Sequence, residues 1–123
     1  MMKRVAVLAL AIALASAACF TAMRNRNREN VNLLSLEMTK GEVLSVMGDR
    51  GAPGVSNPYR TEILMSKSGE AFEVLFYYTD IQRRDSAITD DELIPLVLRE
   101  GRLIGWGWSF MDQAVQKYEI RIR

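Results

Sequence analysis

Histidine is missing altogether from the 123 residues, and cysteine occurs once, at Cys19. Without His the chain lacks the side chain whose ordinary pKa lies nearest neutrality, and with it the commonest general base and metal ligand. One thiol forms no intramolecular disulfide and builds no thiolate zinc site alone. Neither sign of charge dominates, since 16 Lys and Arg face 15 Asp and Glu. That balance gives no electrostatic case for nucleic acid as a partner. No stretch pairs an acid with a base at catalytic spacing, and none reads as a cofactor site. The length fits one domain.

What is present is most informative at the start. Met1-Met2-Lys3-Arg4 is a short basic opening, and Val5 to Ala18 runs apolar and rich in Ala and Leu. Ser16-Ala17-Ala18 then supplies small side chains immediately before Cys19. A basic region, an apolar region and a small-residue end form a secretory signal peptide, expected over residues 1–18. Ser16-Ala17-Ala18-Cys19 also resembles a bacterial lipobox. That resemblance implies a diacylglycerol on the Cys19 sulfur, cleavage before Cys19 and further acylation of the new N-terminus. More than one buried acyl chain makes such anchoring stable. Phe20 follows the cysteine where the familiar inner-membrane retention signal has Asp, which agrees with sorting to the outer membrane. A different reading of the same run stays open. It carries no charge from Val5 to Met23 and is just long enough to span a bilayer as an uncleaved inner-membrane anchor.

Residues 19–30 are polar and lack apolar periodicity, so they read as a tether to a domain over 31–123. Within that domain Thr39 and Glu42 form a capping box, with Met38 and Val43 as the matching staple. Val43, Val46 and Met47 share one helical face, and Gly48 ends the helix. Asp49 to Pro58 is dense in turn formers. Strands are expected at Tyr59 to Ser66, Phe72 to Tyr78, Ile94 to Arg99 and Arg102 to Trp108, with turns at Ser68-Gly69 and Glu100-Gly101. The Phe72, Val74, Phe76 and Tyr78 face is expected to pack on the helix. Asp80 to Glu92 reads as a charged loop, and Ser109 to Gln116 as a short helical piece. Tyr118, Ile120 and Ile122 alternate with charges, as in a half-buried edge strand. The fold class is therefore α+β: one or two short N-terminal helices on one face of an antiparallel sheet of three to five strands.

Leu34 to Pro53, "LSLEMTKGEVLSVMGDRGAP", resembles the signature of the SmpA/OmlA, BamE-like family of small envelope lipoproteins. Met38, Thr39, Val43, Met47 and Gly48 match it, Glu37 stands where Gly is usual, and Pro53 comes late. "LREGRLIGWGW" resembles the final hairpin of such domains. The resemblance implies two small helices on an antiparallel sheet, attachment to the membrane through acylated Cys19, and a docking role without catalysis. An envelope protein partner follows, barrel-assembly components among the candidates, at the periplasmic face of the outer membrane.

Other features have ordinary explanations. Asp90-Asp91-Glu92, with Asp80 and Asp85 nearby, lacks calcium-loop spacing and reads as a solvated loop. Ser66-Lys67-Ser68 holds the elements of a Ser/Lys pair but falls at a turn. Trp106 and Trp108 share one side of a predicted strand, either filling the core or forming a partner surface. Gly105 and Gly107 point to a bulge or a close backbone approach. The sequence thus supports a non-enzymatic docking module. The alternative is a periplasmic ligand- or peptide-binding or inhibitor module of the same fold.

Overall fold

In a computed structural model the described residues form three α-helices, one 3-10 turn and a four-stranded antiparallel sheet. The structure describes residues 2–82 and 87–122, and of residues 2–9 and 11–16 the helical backbone alone. The side chains on which the leader reading rests therefore lie mostly outside the described residues, as do Asp85 and Arg123.

The sheet is a plain meander of β1 (Arg60–Met65), β2 (Ala71–Tyr78), β3 (Leu93–Arg99) and β4 (Arg102–Trp106), in spatial order β1-β2-β3-β4. The expected α+β class and hairpins are present. The β3–β4 turn has positive φ at both Glu100 and Gly101, 52° and 74°, the primed-turn geometry that matches strand twist. The helix over Lys40–Met47, α2, starts where the cap predicts. Thr39 Oγ1 accepts from Glu42 N at 3.2 Å and donates to Glu42 Oε1 at 3.0 Å. Half of the capping box is thus realised as expected. The carboxylate reaches the Thr39 hydroxyl instead of its backbone N–H.

Every β2 residue from Val74 to Tyr78 is buried, so both faces of the sheet need cover. Helix α2 and the last turn of the N-terminal helix, α1 (Met2–Val31), share one face, while Phe20 and Met23 further up α1 join the cluster on the other. Val43 and Met47 of α2 pack with Val31 and Leu34 against Leu75, Tyr77, Leu96, Leu98 and Leu103. The face carrying Phe72, Val74, Phe76 and Tyr78, expected to meet that helix, lies instead under α3 (Trp108–Lys117), whose Met111 and Ala114 are buried there. Each large side chain so buried contributes roughly 1.5–3 kcal/mol.

Two expectations are corrected. Residues 20–30 are no irregular spacer, because α1 runs unbroken from Met2 to Val31. Phe20, Met23, Asn27 and Val31 recur at helical spacing and turn toward the sheet, with Met23 and Asn27 buried. Asn27 Nδ2 donates to the Tyr78 carbonyl at 2.8 Å and to Asn57 Oδ1 at 2.9 Å. Asn57 Nδ2 donates back to Asn27 Oδ1 at 3.2 Å and to the Gly48 carbonyl at 3.1 Å. One buried pair thereby joins α1, the end of α2, the following loop and the end of β2. The second correction concerns the last segment, which is no strand among its described residues. Glu119 has φ 50°, and Ile120 makes only an isolated antiparallel bridge to Ser66. The Tyr118 ring turns in to Phe72 at 5.1 Å and lies under the Arg99 guanidinium at 4.7 Å.

Two predictions follow from this packing. Asn27→Ala leaves the Tyr78 carbonyl and Asn57 without their partner and should destabilise the fold by about 2–3 kcal/mol in chemical denaturation. Glu29→Ala, on the exposed face, should move it by under about 0.5 kcal/mol. The Tyr77 hydroxyl is buried without a hydrogen-bond partner among the described residues, and burial pushes its pKa up from 10.0 to about 12. The unfolded chain therefore releases this proton before the folded one does. Stability should fall as pH rises through that window, because the folded state binds the extra proton. Tyr77→Phe should be as stable as the parent at neutral pH and should lose less stability between pH 10 and 12, measured by denaturation at each pH.

Candidate functional site

Cys19 is exposed on α1, one residue before Phe20 begins the stripe that packs on the sheet. An exposed thiol at that position is sterically open to attack or modification. Among the described residues no helix is long and apolar enough to cross a membrane.

The two tryptophans do not share a face. Pairing places Val97 opposite Gly105 but Leu98 opposite Leu103, so Ile104 is an extra residue. That bulge resets the alternation, and Trp106 joins Leu103 on the α2 side. The strand then ends, and Gly107 turns the chain at φ 90°. Trp108 opens α3 on the other side, its ring 5.9 Å from Phe76 and its indole N–H donating to the Leu93 carbonyl at 2.8 Å. The close approach expected at Gly105 is intramolecular, since a Cβ there would meet the Phe110 ring at 2.6 Å.

The acidic loop is structural. Glu92 is buried and accepts from the backbone N–H of Thr89 at 3.0 Å and of Gln82 at 2.9 Å. Asp91 accepts from the Thr89 hydroxyl. Among the described residues no cluster of His, Cys, Asp and Glu could hold a metal ion. At the turn after β1, Ser66 Oγ meets Ser68 Oγ at 2.9 Å and accepts from Glu70 N. Lys67 points away to Glu119 at 3.9 Å, so Ser and Lys are not assembled as nucleophile and base.

The surface that does gather unlike groups lies at β1, where sequence reasoning placed nothing. Helix α3 packs over β3 and β4, and the β1 part of that face is left as a groove of about 540 Å³. Trp108, Met111 and Ile122 give it apolar walls, and Glu62, Asp90 and Asp112 give it charge. Arg60, its one lining base, is held by Asp90 at 2.9 Å and Glu62 at 3.3 Å and lies 4.2 Å over the Phe76 ring. Asp112 has no hydrogen-bond or ion-pair partner among the described residues. The groove is thus net acidic with apolar walls, a surface suited to holding a chain segment. The alternating Arg60, Glu62 and Leu64 were visible in the sequence. Their exposure to a groove was not, because it depends on where α3 comes to rest.

No curated protein and no solved structure matches this chain. The family described as "Protein of unknown function (DUF3192)" matches residues 6–113, from within α1 through all four strands into α3. That match covers most of the sequence, and the protein is a member of this family.

Proposed function

We propose that the protein is a non-enzymatic, lipid-anchored docking module of the bacterial envelope, held through Cys19 at the periplasmic face of the outer membrane. The observation that carries this reading is the position of Cys19. It ends a leader-like run, is exposed, and directly precedes the first side chain that packs into the body. Cleavage before it would leave a complete α+β body whose membrane attachment point is part of its own first helix.

The SmpA/OmlA-like signature supports the reading further. Its matching residues act in this chain as staple (Met38), cap (Thr39), buried face (Val43, Met47) and helix stop (Gly48). Glu37 stands where that signature usually has Gly and has φ 72°, the left-handed region that glycine occupies most easily. The groove beside β1 favours a second reading, a periplasmic peptide-binding or inhibitor module of the same fold.

Intact mass of the protein extracted from membranes tests the anchor. The expected mass is that of residues 19–123 plus acyl groups, and Cys19→Ala should abolish both processing and membrane retention. A full-length mass without lipid contradicts the proposal. Affinity purification from detergent-solubilised envelopes should recover an envelope protein with the wild-type chain.

A further inference from the structure

The two edges of the sheet are treated differently. Along β4 the chain closes its own edge. Glu37 N donates to the Leu103 carbonyl at 2.8 Å, Leu103 N to the Met38 carbonyl at 2.8 Å, and Lys40 N to the Gly101 carbonyl at 3.1 Å. Along β1 only the C-terminal end is closed. Lys67 N donates to the Glu119 carbonyl and Arg121 N to the Met65 carbonyl, both at 2.9 Å.

In an antiparallel ladder alternate residues turn their N–H and C=O to opposite edges. Ser66 N faces inward, to the Glu70 carbonyl, while Met65 and Lys67 face outward to the tail. Thr61 and Ile63 have the outward parity. Among the described residues no bond outside the ladder reaches their backbone groups. The six-residue strand pairs with β2 in unbroken register and contains no Pro, Lys or bulge to blunt this edge. Ile63 is 60% exposed, Met65 44% and Ile122 68%, so the free edge is bordered by apolar surface.

We infer that the open edge of β1, with the acidic groove beside it, is the docking site for an extended basic segment of a partner protein. That segment adds a fifth strand at Thr61 and Ile63. The chain's own tail already uses this edge, two residues further along, through the Lys67–Glu119 and Arg121–Met65 backbone bonds of an isolated bridge. Added strands present side chains alternately to the two faces. One set then meets Ile63 and Met65. The other enters the groove, where three carboxylates stand against the single, already paired Arg60, and where Asp112 waits without a partner. A Lys or Arg there completes the charge pattern, and an acidic side chain opposes it. A second copy of this chain fits less well. The antiparallel register that engages both Thr61 and Ile63 places Glu62 directly opposite Glu62, and like charges so placed are destabilising.

The inference deepens the docking half of the proposed function and rests on it, and it is independent of the lipid. The test uses the full chain in detergent micelles and a fluorescent, end-capped Lys-Val-Lys-Val-Lys-Val peptide, read by anisotropy. The Lys peptide should bind at least about tenfold more tightly than its Glu counterpart, a difference of about 1.4 kcal/mol. Methylation of alternate peptide nitrogens should abolish binding. Thr61→Pro removes an outward N–H at an edge position where proline is tolerated and should also abolish binding. Asp112→Asn should weaken the Lys peptide and, by removing a repelling charge, leave the Glu peptide no weaker. Amide hydrogen exchange at Thr61 and Ile63 of the wild-type protein should slow on adding the peptide, a readout that does not require the Pro variant to fold. No binding, equal affinity for both peptides, indifference to methylation, or unchanged exchange at those two amides overturns the inference. So does concentration-dependent self-association that Thr61→Pro removes. Loss of peptide binding with envelope-protein recovery retained sinks this surface alone, whereas loss of that recovery sinks the docking role itself.

Discussion

The Asn27 carboxamide is out of contact with water, and a buried amide persists only where its donors and acceptors are matched. Its bonds run to the Tyr78 carbonyl and to Asn57, which is bonded in turn to the Gly48 carbonyl. Helix α1 can therefore take one rotation and one height against the sheet, because a slip of one residue would bury unpaired groups. That constraint sets where Met23 and Val31 pack and where the exposed Cys19 stands. The N-terminal helix is thereby a structural part of the body, with Cys19 held about a helical turn from Met23, the first fully buried side chain among the described residues.

The rest of the architecture follows from a strand that is apolar on both sides. Antiparallel sheets commonly leave one face to solvent, but β2 offers Phe72, Val74, Phe76 and Tyr78 to one layer and Leu75 and Tyr77 to the other. Helix α2 and the end of α1 at Val31 cover the second set, and α3 covers the first together with Phe20 and Met23 of α1. The three helices do not cover both faces completely. The shortfall appears at β1, where α3 does not reach and the acidic groove remains. Arg60 lies flat on Phe76 there, shielding part of the apolar floor with its own stem while two carboxylates hold its head.

Much of this was legible from residues alone, where local chemistry decides local structure. Thr39 and Glu42 mark a helix start, Gly48 marks its end, and Glu100-Gly101 marks a tight hairpin, because caps and turns depend on neighbours a few residues away. The stripe of α1 was hidden for a physical reason. Its central inward position is an asparagine, so a search for apolar periodicity finds a gap between Met23 and Val31 and reads a polar spacer. Trp106 and Trp108 were misplaced because β4 ends at Trp106 and Gly107 turns the chain into α3, so the period-two alternation does not continue to Trp108. The groove and the open edge were beyond reach, since both depend on which strands α3 happens to cover. Cys19 is the opposite case. Its reading comes from the residues around it in the sequence, and the structure adds only that it is exposed on the helix.

On the proposed reading, a docking module that carries its anchor on its first folded helix would present its surfaces at a set distance from the bilayer, which a flexible tether would not do. Everything in that picture depends on residues 23–31 unfolding only when the sheet does. Native-state amide hydrogen exchange measures this directly. The account predicts that the amides from Met23 to Val31 exchange with the same opening free energy as those of Val74 to Tyr77. If they exchange as fast as a frayed terminus while the sheet stays protected, the helix is a tether after all and the account is wrong.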